Sequence, residues 1–422
     1  MTIKTIDLSH PLYQAAQPVL RQIEQAGYEA YFVGGCVRDT LLGKAIHDID
    51  IASSATPDEI QAIFPHTFDV GKQHGTIVVW FQKQNYEVTT FRTEGDYSDK
   101  RRPDEVTFVR NLQEDTLRRD FTINALAVNR QGQLFDYHGG VDDLTKQQIR
   151  AVGVASERFD EDALRMMRAI RFASQLGFEI EPATFKAIQV LAETISYVSI
   201  ERIRIELSKF LQGKALAQMA PLLVTSGLSR YLIGLNRADS QEILERVGQD
   251  LAHLIVKGMA CDERIAWFVL LRELGISERT SVLAFLREWK HSNQFGLDVA
   301  LMLQLEPIIR QQAVTNMTLY RCPQALLELL IQYLAAHNVA DVETLSSRKM
   351  ALPITSRREL AVNGKQLMDY LKLTRGNARL GTLMEEIEAK VVLGELPNQT
   401  AILLEYADSY WREQVDGTSS NN

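Results

Sequence analysis

Short apolar runs separated by glycines and charged residues mark the first part of the chain. Residues 31–35 form an apolar run that ends in two glycines, and residues 48–52 alternate acidic and apolar side chains. Residues 76–81 and 85–91 are rich in β-branched and aromatic side chains, which favour strands. We therefore predict that these four segments are strands of one sheet.

A helix start lies between the second and third of these segments. Thr56 can serve as the N-cap, Pro57 takes the first helical position, and Glu59 is placed to complete a capping box. Residues 94–106 are highly charged, contain a glycine and a proline, and have no periodicity, so we predict a loop there.

Helical periodicity replaces the strand pattern from about Ser156 onward. The first helical run is predicted to end at Gly177, and long helices are predicted for most of the remaining chain. The apolar positions of that first run are Leu164, Met167, Ile170, Ala173 and Leu176. The whole pattern predicts an α+β protein, with an N-terminal mixed β-sheet followed by an all-α region.

Length and charge narrow the class of protein further. The 422 residues are enough for two to four domains, and the composition, 45% apolar and 24% charged, is that of a folded protein. No apolar stretch is long enough for a membrane helix and no signal peptide is evident, so we predict a cytoplasmic protein without a membrane partner. The net charge of −8 disfavours attraction of the whole surface to nucleic acid but leaves room for a local basic face.

Asp48 and Asp50 are the first candidate functional pair. In a strand, residues two apart point to the same face, so both carboxylates project together while Ile49 and Ile51 point to the core. Two like charges on one face are favourable when a cation shares them, and such oxygen ligands suit Mg²⁺. The alternative interpretation is a solvated strand edge.

Two further features would complete such a site. Gly34 and Gly35 end a strand and open a helix, where backbone N–H groups can bind phosphate and Arg38 can add a charged contact. Glu87 lies in an otherwise apolar strand, where it could join the two aspartates as a third metal ligand. A plain strand-to-helix turn and a solvent-facing glutamate are the alternatives.

A base-reading pair is predicted in the helical region. If Asp162 and Arg165 lie three apart on one helix, they share a face. There the carboxylate could accept from the amine of cytosine or adenine while the guanidinium donates to the adjacent ring nitrogen, an order that uracil and guanine reverse. Arg168 and Arg171 extend this face toward phosphates. The alternative is a solvated face with surface salt bridges.

Taken together, these motifs closely resemble the class II tRNA nucleotidyltransferases, the family of bacterial CCA-adding enzymes and poly(A) polymerases. The resemblance rests on the double glycine, the paired aspartates, R-R-D-F-T-I-N-A at 118–125, D-Y-H-G-G at 136–140 and E-D-A-L-R at 161–165. It implies metal-dependent catalysis with Mg²⁺ held by Asp48, Asp50 and Glu87. It also implies a set of nucleotide-binding residues: Gly34, Gly35, Arg38, Arg119, Asp120, Asn124, Asp162, Arg165, Arg168 and Arg171.

The same resemblance implies a division of the chain and its partners. A catalytic head over 1–150 would precede a helical neck with the nucleotide-selecting helix over 151–213, a helical body over 214–345 and a tRNA-binding tail over 346–422. The expected activity is transfer of CMP, CMP and AMP from CTP and ATP to a tRNA 3′ end. The sequence does not decide between a monomer and a homodimer.

Other activities stay open at this stage. An A-adding enzyme would keep the loop at 95–103, whose presence disfavours a CC-adding enzyme. A poly(A) polymerase usually has G-R-R-F-R where this chain has residues 69–75, D-V-G-K-Q-H-G. A non-catalytic RNA-binding protein is disfavoured because all three carboxylates are present. A transferase for small molecules would not need the long helical region.

Overall fold

A mixed sheet begins near the N-terminus in the computed structural model, which describes residues 5–95 and 106–419. Residues 96–105, which include most of the loop predicted over 94–106, lie outside the described residues. The strands are β1 Ala30–Val33, β2 Asp50–Ser53, β3 Thr67–Gly71, β4 Thr76–Phe81, β5 Gln84–Thr90, β6 Arg92–Glu94, β7 Val106–Phe108, β8 Leu126–Val128, β9 Leu134–Asp136, β10 Gln148–Ile149 and β11 Glu179–Ile180.

Helices occupy most of the chain beyond the sheet. They are α1 Pro11–Gln25, α2 Gly35–Leu41, α3 Pro57–Ile63, α4 Leu112–Leu117, α5 Gly140–Thr145, α6 Ala155–Glu161, α7 Leu164–Leu176, α8 Pro182–Leu191, α9 Ile200–Leu211, α10 Leu216–Thr225, α11 Ser240–Val256, α12 Glu263–Glu273, α13 Arg279–Glu288, α14 Asn293–Arg310, α15 Asn316–Arg321, α16 Gln324–Ala336, α17 Thr344–Met350, α18 Gly364–Tyr370, α19 Ala378–Leu393 and α20 Thr400–Ser419. Two compact units result, Met1–Ala252 with Glu288–Lys290, and His253–Arg287 with His291–Asn422.

The main sheet of the first unit has the strand order β3-β4-β5-β2-β1-β8-β9. Strands β2 and β5 pair in parallel, whereas the other neighbours pair antiparallel. The four predicted strands are therefore confirmed as members of one mixed sheet. The sequence pattern missed β3, β8 and β9, which are short or exposed and lack a clear alternation.

The capping box of α3 is confirmed. The Thr56 side chain accepts a hydrogen bond from the Glu59 backbone N–H, and the Glu59 carboxylate accepts from the Thr56 backbone N–H at 2.6 Å. These two bonds satisfy backbone donors that a helix start leaves unpaired. The helix follows β2 directly and helps to fix the end of that strand.

The helical run predicted from about Ser156 is divided in two. Asp162 has an extended backbone, with φ −139° and ψ 102°, and lies between α6 and α7. Its side chain accepts a hydrogen bond from the Leu164 backbone N–H at 3.1 Å, so it competes with the helical hydrogen bonds of its own segment. The prediction that Asp162 and Arg165 share one helix face is therefore wrong, although both side chains line the cleft described below.

The buried face of α7 is as predicted. Its apolar positions are buried, and Gly177 ends the helix in the left-handed conformation with φ 75°. A small exception to the helical pattern follows, because β11 pairs in parallel with β10. Helix α7 also packs on α9, which brings two rows of charged residues together in the first unit.

The second unit is helical throughout its described residues. Trp267 and Tyr333 are among its fully buried side chains, and a separate apolar cluster joins α18, α19 and α20. The α+β fold class, with an N-terminal mixed sheet and a helical region after it, is confirmed. No helix in the part of the chain that the structure describes is long and apolar enough to cross a membrane.

Candidate active site

The turn between β1 and α2 forms one wall of a cleft in the first unit. Gly34 adopts φ 74° and ψ −129°, a backbone conformation that residues with a Cβ rarely adopt. A Cβ at this position would lie 3.7 Å from Asp50 Oδ2 and 3.6 Å from Arg119 Nη1. The glycine therefore permits a tight turn and also keeps the space in front of the Asp50 carboxylate open.

Substitution of Gly34 tests this double role. We expect Gly34→Ala to destabilise the fold by about 1–3 kcal/mol, because φ 74° with ψ −129° is a conformation that almost only glycine adopts. We also expect at least about a tenfold loss of nucleotide incorporation, since the added methyl group would occupy the space in front of the Asp50 carboxylate that a ligand needs. Gly43→Ala is the matched control, because Gly43 also has a positive φ of 63° but no atom lies within 4 Å of its Cβ position. Thermal melts should show destabilisation in both variants, whereas incorporation rates should fall in Gly34→Ala alone, and equal activity losses would contradict the prediction.

The paired carboxylates stand at the start of β2. Asp50 is the first residue of this strand, Asp48 precedes it, and Ile49 and Ile51 are buried as predicted. Glu87 of β5 is the register partner of Asp50 across the parallel pair. The three carboxylates are thus neighbours. The spacing of Asp48 and Asp50 in the sequence predicted that these two project to the same face.

The electrostatics of Asp50 reflect this crowding. Partial loss of hydration and then the negative charges of Asp48 and Glu87 raise its pKa to about 6, although Arg119 opposes the shift. Because two other carboxylates lie beside Asp50, its ionised form is unfavourable unless a cation balances the charge. Asp48 and Asp50 therefore fit a divalent cation.

Asp48 and Asp50 would supply only part of the coordination shell of a metal ion. Among the residues that the structure describes, no group of three or more His, Cys, Asp or Glu side chains is arranged to hold a metal ion. Magnesium commonly takes one or two carboxylates and completes its shell with waters and phosphate oxygens. Two aspartates at the edge of a nucleotide-sized cleft suit that mode of binding, and Glu87 stays a predicted third ligand.

The raised pKa of Asp50 gives a pH-dependent prediction. Because protons and Mg²⁺ compete for this carboxylate, the rise in melting temperature caused by Mg²⁺ should be largest above about pH 6 and should fade as the pH decreases through about 6. Without metal, Asp50→Asn should stabilise the protein at neutral pH, since a carboxyl with a raised pKa is least favourable when ionised. Melts with and without Mg²⁺ between pH 5 and 8 check both expectations. A Mg²⁺ effect that is independent of pH, or that persists in Asp50→Asn, would contradict them.

A hydrogen-bonded chain connects the glycine turn to α7. Arg38 Nη1 donates to Asn124 Oδ1 at 2.7 Å, and Asn124 Nδ2 donates to Asp120 Oδ1 at 3.1 Å. Arg168 then donates to Asp120 Oδ2 through Nε at 2.8 Å and Nη2 at 2.5 Å. Burial alone would raise the pKa of Asp120, but the Arg168 guanidinium, with Asn124 and Arg165, holds it below its usual range. Asp120 thus works as an ionised bridge between the head segment and the helix.

The other arginines of α7 are also held in place. Arg165 donates to Glu161 Oε2 at 2.5 Å and to the backbone carbonyl of Arg118 at 2.9 Å. Arg171 pairs with Glu206 of α9 at 2.6 Å and lies 3.6 Å from the centre of the Phe172 ring. Such fixed guanidinium groups are prearranged to receive an anion, because little conformational freedom is left to lose on binding.

One cleft collects nearly all of the predicted site residues. It encloses about 540 Å³, a volume suited to a nucleotide, and seven arginines against five aspartates line it in spite of the acidic total charge. Of the predicted residues, Gly34, Gly35, Arg38, Asp48, Asp50, Arg119, Asp120, Asn124, Asp162, Arg165, Arg168 and Arg171 line this cleft. The remaining predicted residue, Glu87, lines a second cavity of about 520 Å³ that shares Asp48 and Asp50 with the first.

Some cleft residues were not predicted. Arg118, Phe172 and Arg202 also line the cleft, and Asp115 holds Arg118 and Arg119 from behind with ion pairs of 2.9 Å and 3.4 Å. The signal for Arg118 was its place in the R-R-D motif, but nothing in the spacing of Arg202 pointed to this cleft rather than to solvent.

Comparison with known families agrees with this arrangement. Residues 30–150 match the family described as "Poly A polymerase head domain", and residues 177–234 match "Probable RNA and SrmB- binding site of polymerase A". Residues 260–407 match "tRNA nucleotidyltransferase domain 2 putative".

Individual relatives extend over nearly the whole chain. The CCA-adding enzyme of Limosilactobacillus reuteri is 42% identical over 95% of this chain and 98% of its own length, and that of Enterococcus faecalis is 45% identical over 94% and 95%. The crystal structure of the Bacillus stearothermophilus CCA-adding enzyme in complex with CTP has a TM-score of 0.81 and 38% identity, covering 96% of this chain and 99% of that chain. This chain therefore belongs to the CCA-adding enzymes, a family of tRNA nucleotidyltransferases.

Proposed function

We propose that this member of the family transfers CMP, CMP and AMP in turn from CTP and ATP to the 3′ end of tRNA, with Mg²⁺ as its metal. The observation that carries the proposal is the single cleft that the paired carboxylates line together with fixed arginines. One wall suits the reacting phosphates and the other suits the base. A cleft of this composition can hold one triphosphate at a time and choose it without a nucleic-acid template.

Binding of the triphosphate follows from the charges at the β1–α2 turn. Arg38, Arg119 and Arg168 surround the turn, and Gly34 and Gly35 leave the backbone open to a phosphate. Arg119 Nε is buried and has no hydrogen-bond partner among the described residues, so an acceptor from the ligand would satisfy it. Asn124 fixes Arg38, which would stay oriented through successive rounds of addition.

Selection of the base is assigned to Asp162 and Arg165. The carboxylate accepts from the exocyclic amine of cytosine or adenine, and the guanidinium donates to the ring nitrogen beside it. Uracil and guanine would present an acceptor to the carboxylate and a donor to the guanidinium. Both mismatched contacts are repulsive, so C and A are preferred.

The second cavity is the proposed entrance for the 3′ end of the tRNA. It shares Asp48 and Asp50 with the nucleotide cleft, so a terminal hydroxyl placed there would meet the α-phosphate at the carboxylates. The hydroxyl oxygen forms the new ester bond in line, and pyrophosphate leaves. When bound by Asp48, Asp50 and Glu87, Mg²⁺ would lower the pKa of that hydroxyl and neutralise charge on the phosphates.

The division into head 1–150, neck 151–213, body 214–345 and tail 346–422 is part of the same proposal, with the tail binding tRNA. The matched family segments at 177–234 and 260–407 support a role for the helical region in RNA binding. A-addition alone and poly(A) synthesis are less favoured, because the relatives that align over nearly the full length are CCA-adding enzymes.

Sequencing of reaction products tests the proposal. A tRNA transcript that ends before CCA is incubated with the protein, Mg²⁺ and equal concentrations of all four nucleoside triphosphates, and its 3′ ends are then sequenced. The proposal predicts ends in C, CC and finally CCA, with no further growth. Long adenosine tails, or ends that contain uridine or guanosine at comparable frequency, would contradict it.

A further inference from the structure

We propose that Arg202 is a positioning residue for base selection, because its guanidinium fixes the carboxylate of Asp162 in the orientation that accepts from the base. This inference rests on the proposed function and deepens it. Arg202 belongs to α9, whereas Asp162 lies between α6 and α7, so a neighbouring helix would control the selectivity of the pair.

Two donors fix the Asp162 carboxylate, and they reach it from different elements. Its Oδ1 accepts from the Leu164 backbone N–H at 3.1 Å, at the start of α7. Its Oδ2 accepts from Arg202 Nη2 at 2.7 Å. Because each oxygen is held by one donor, rotation of the carboxylate about its Cβ–Cγ bond is blocked. Each oxygen keeps a further lone pair that can accept from a ligand.

The surroundings of Arg202 indicate a role beyond a structural ion pair. Arg202 lines the nucleotide cleft together with Asp162, and its side chain is 24% exposed. Its Nη1 is buried but makes no hydrogen bond within the described part of the chain. An unsatisfied buried donor is unfavourable by about 1–3 kcal/mol, and a purely structural pair would not retain one at the wall of a polar cleft.

Arg165, the partner of Asp162 in base reading, is supported independently of Arg202. Its guanidinium donates to Glu161 and to the carbonyls of Arg118 and Arg158. Loss of Arg202 should therefore leave Arg165 in place and free only the carboxylate. Only Asp162, which contacts the exocyclic group of the base in this proposal, would then be disturbed.

The chemical consequence concerns uracil. Uracil presents O4, an acceptor, where cytosine presents an amine, so a fixed carboxylate oxygen meets another acceptor and UTP is disfavoured. A carboxylate that can rotate away from O4 would lose part of this repulsion. It would also lose part of its attraction for the cytosine amine. The preference for CTP over UTP should therefore decrease, because CTP is bound less well and UTP is rejected less well.

The test compares Arg202→Ala with wild type by the ratio of kcat/KM for CTP to kcat/KM for UTP, on a tRNA transcript that ends before CCA. We expect the ratio to fall at least about tenfold, and to recover in part in Arg202→Lys, which restores a charge but not the planar fork. Lys209→Ala is the matched control, because Lys209 is an exposed residue of the same helix outside the cleft, and its ratio should equal that of wild type. If thermal melts show that Arg202→Ala does not fold, Arg202→Gln takes its place with the same expected fall.

Two results separate the possible failures. Equal losses of CTP and UTP incorporation in Arg202→Ala, with an unchanged ratio, would overturn the positioning role while leaving the proposed function intact. A wild-type protein that does not prefer CTP over UTP at all would instead contradict the proposed function and this inference with it.

Discussion

Asp50→Ala should reduce nucleotide incorporation by at least about 10³-fold at each of the three additions. Asp50 is the carboxylate that both cavities share with Asp48, and its raised pKa shows that its charge is poorly compensated until a cation binds. Removal of a ligand that supports metal-assisted phosphoryl transfer forfeits several kcal/mol of transition-state stabilisation, and about 1.4 kcal/mol corresponds to tenfold in rate.

The binding of tRNA provides the contrast for this prediction. Because we propose that tRNA binds mainly to the helical region, the dissociation constant for tRNA should change by less than about threefold in Asp50→Ala. Asp58→Ala is the matched control, since Asp58 is an exposed aspartate of α3 outside both cavities, and it should keep wild-type rates. Single-turnover extension and filter binding measure the two quantities. Turnover near the wild-type rate in Asp50→Ala would remove this residue from the metal site.

Arg165→Ala should lower the preference for CTP and ATP over UTP by about 10- to 100-fold. Arg165 is 8% exposed, and its guanidinium is oriented by a glutamate and two backbone carbonyls, so we expect it to present a fixed donor to the base. A hydrogen bond to a charged group contributes about 1.5–3 kcal/mol, which sets this range. Some loss of stability should accompany the change, because Glu161 loses its ion pair with Arg165.

Arg158→Ala controls for that loss. Arg158 also pairs with Glu161 but does not line the cleft, so it should destabilise the same corner of the protein without altering nucleotide preference. The measurement is kcat/KM for CTP, ATP and UTP in wild type and both variants. An unchanged nucleotide preference in Arg165→Ala, or an equal change in Arg158→Ala, would contradict base selection by Arg165. The contacts of Arg165 would then have only a structural role.

Local signals in the sequence were sufficient for much of the fold. The capping box of Thr56 and Glu59 is a short-range arrangement, and it forms as predicted. The apolar face of α7 and its end at Gly177 likewise depend on residues a few positions apart. Strands β4 and β5 were evident because β-branched and aromatic side chains dominate them.

The errors occur where long-range contacts decide the structure. The break at Asp162 was missed because helical periodicity continues on both sides. Its hydrogen bond to the Leu164 backbone N–H is local, but its ion pair comes from Arg202, 40 residues further along the chain. Strands β8 and β9 were missed because three residues are too few for a period of two to be recognised. They are stabilised by the pairing of β8 with β1 and of β9 with β8. Neither the Arg202 contact nor the pairing of β8 with β1 can be seen in a local window of sequence.

The candidate site shows the same division. Paired aspartates and glycine turns have residue types that indicate metal and phosphate binding, so they could be identified from the sequence and from its resemblance to a family. The contacts that hold these residues were invisible, because Asp115, Glu206 and Arg202 have no motif and act through the packing of distant segments. Reactive side chains can therefore be predicted from the sequence more easily than the side chains that orient them.

Extension of three labelled tRNA transcripts tests the central claim most directly. The transcripts end before CCA, after C and after CC, and each is given Mg²⁺ with CTP, ATP, UTP or GTP separately, at single-nucleotide gel resolution. If one cleft selects both bases and performs every addition, the first two transcripts gain C, the third gains A, and extension stops there. Extension of the CC-ended transcript alone, a long ladder with ATP, or no extension of any transcript would contradict the account.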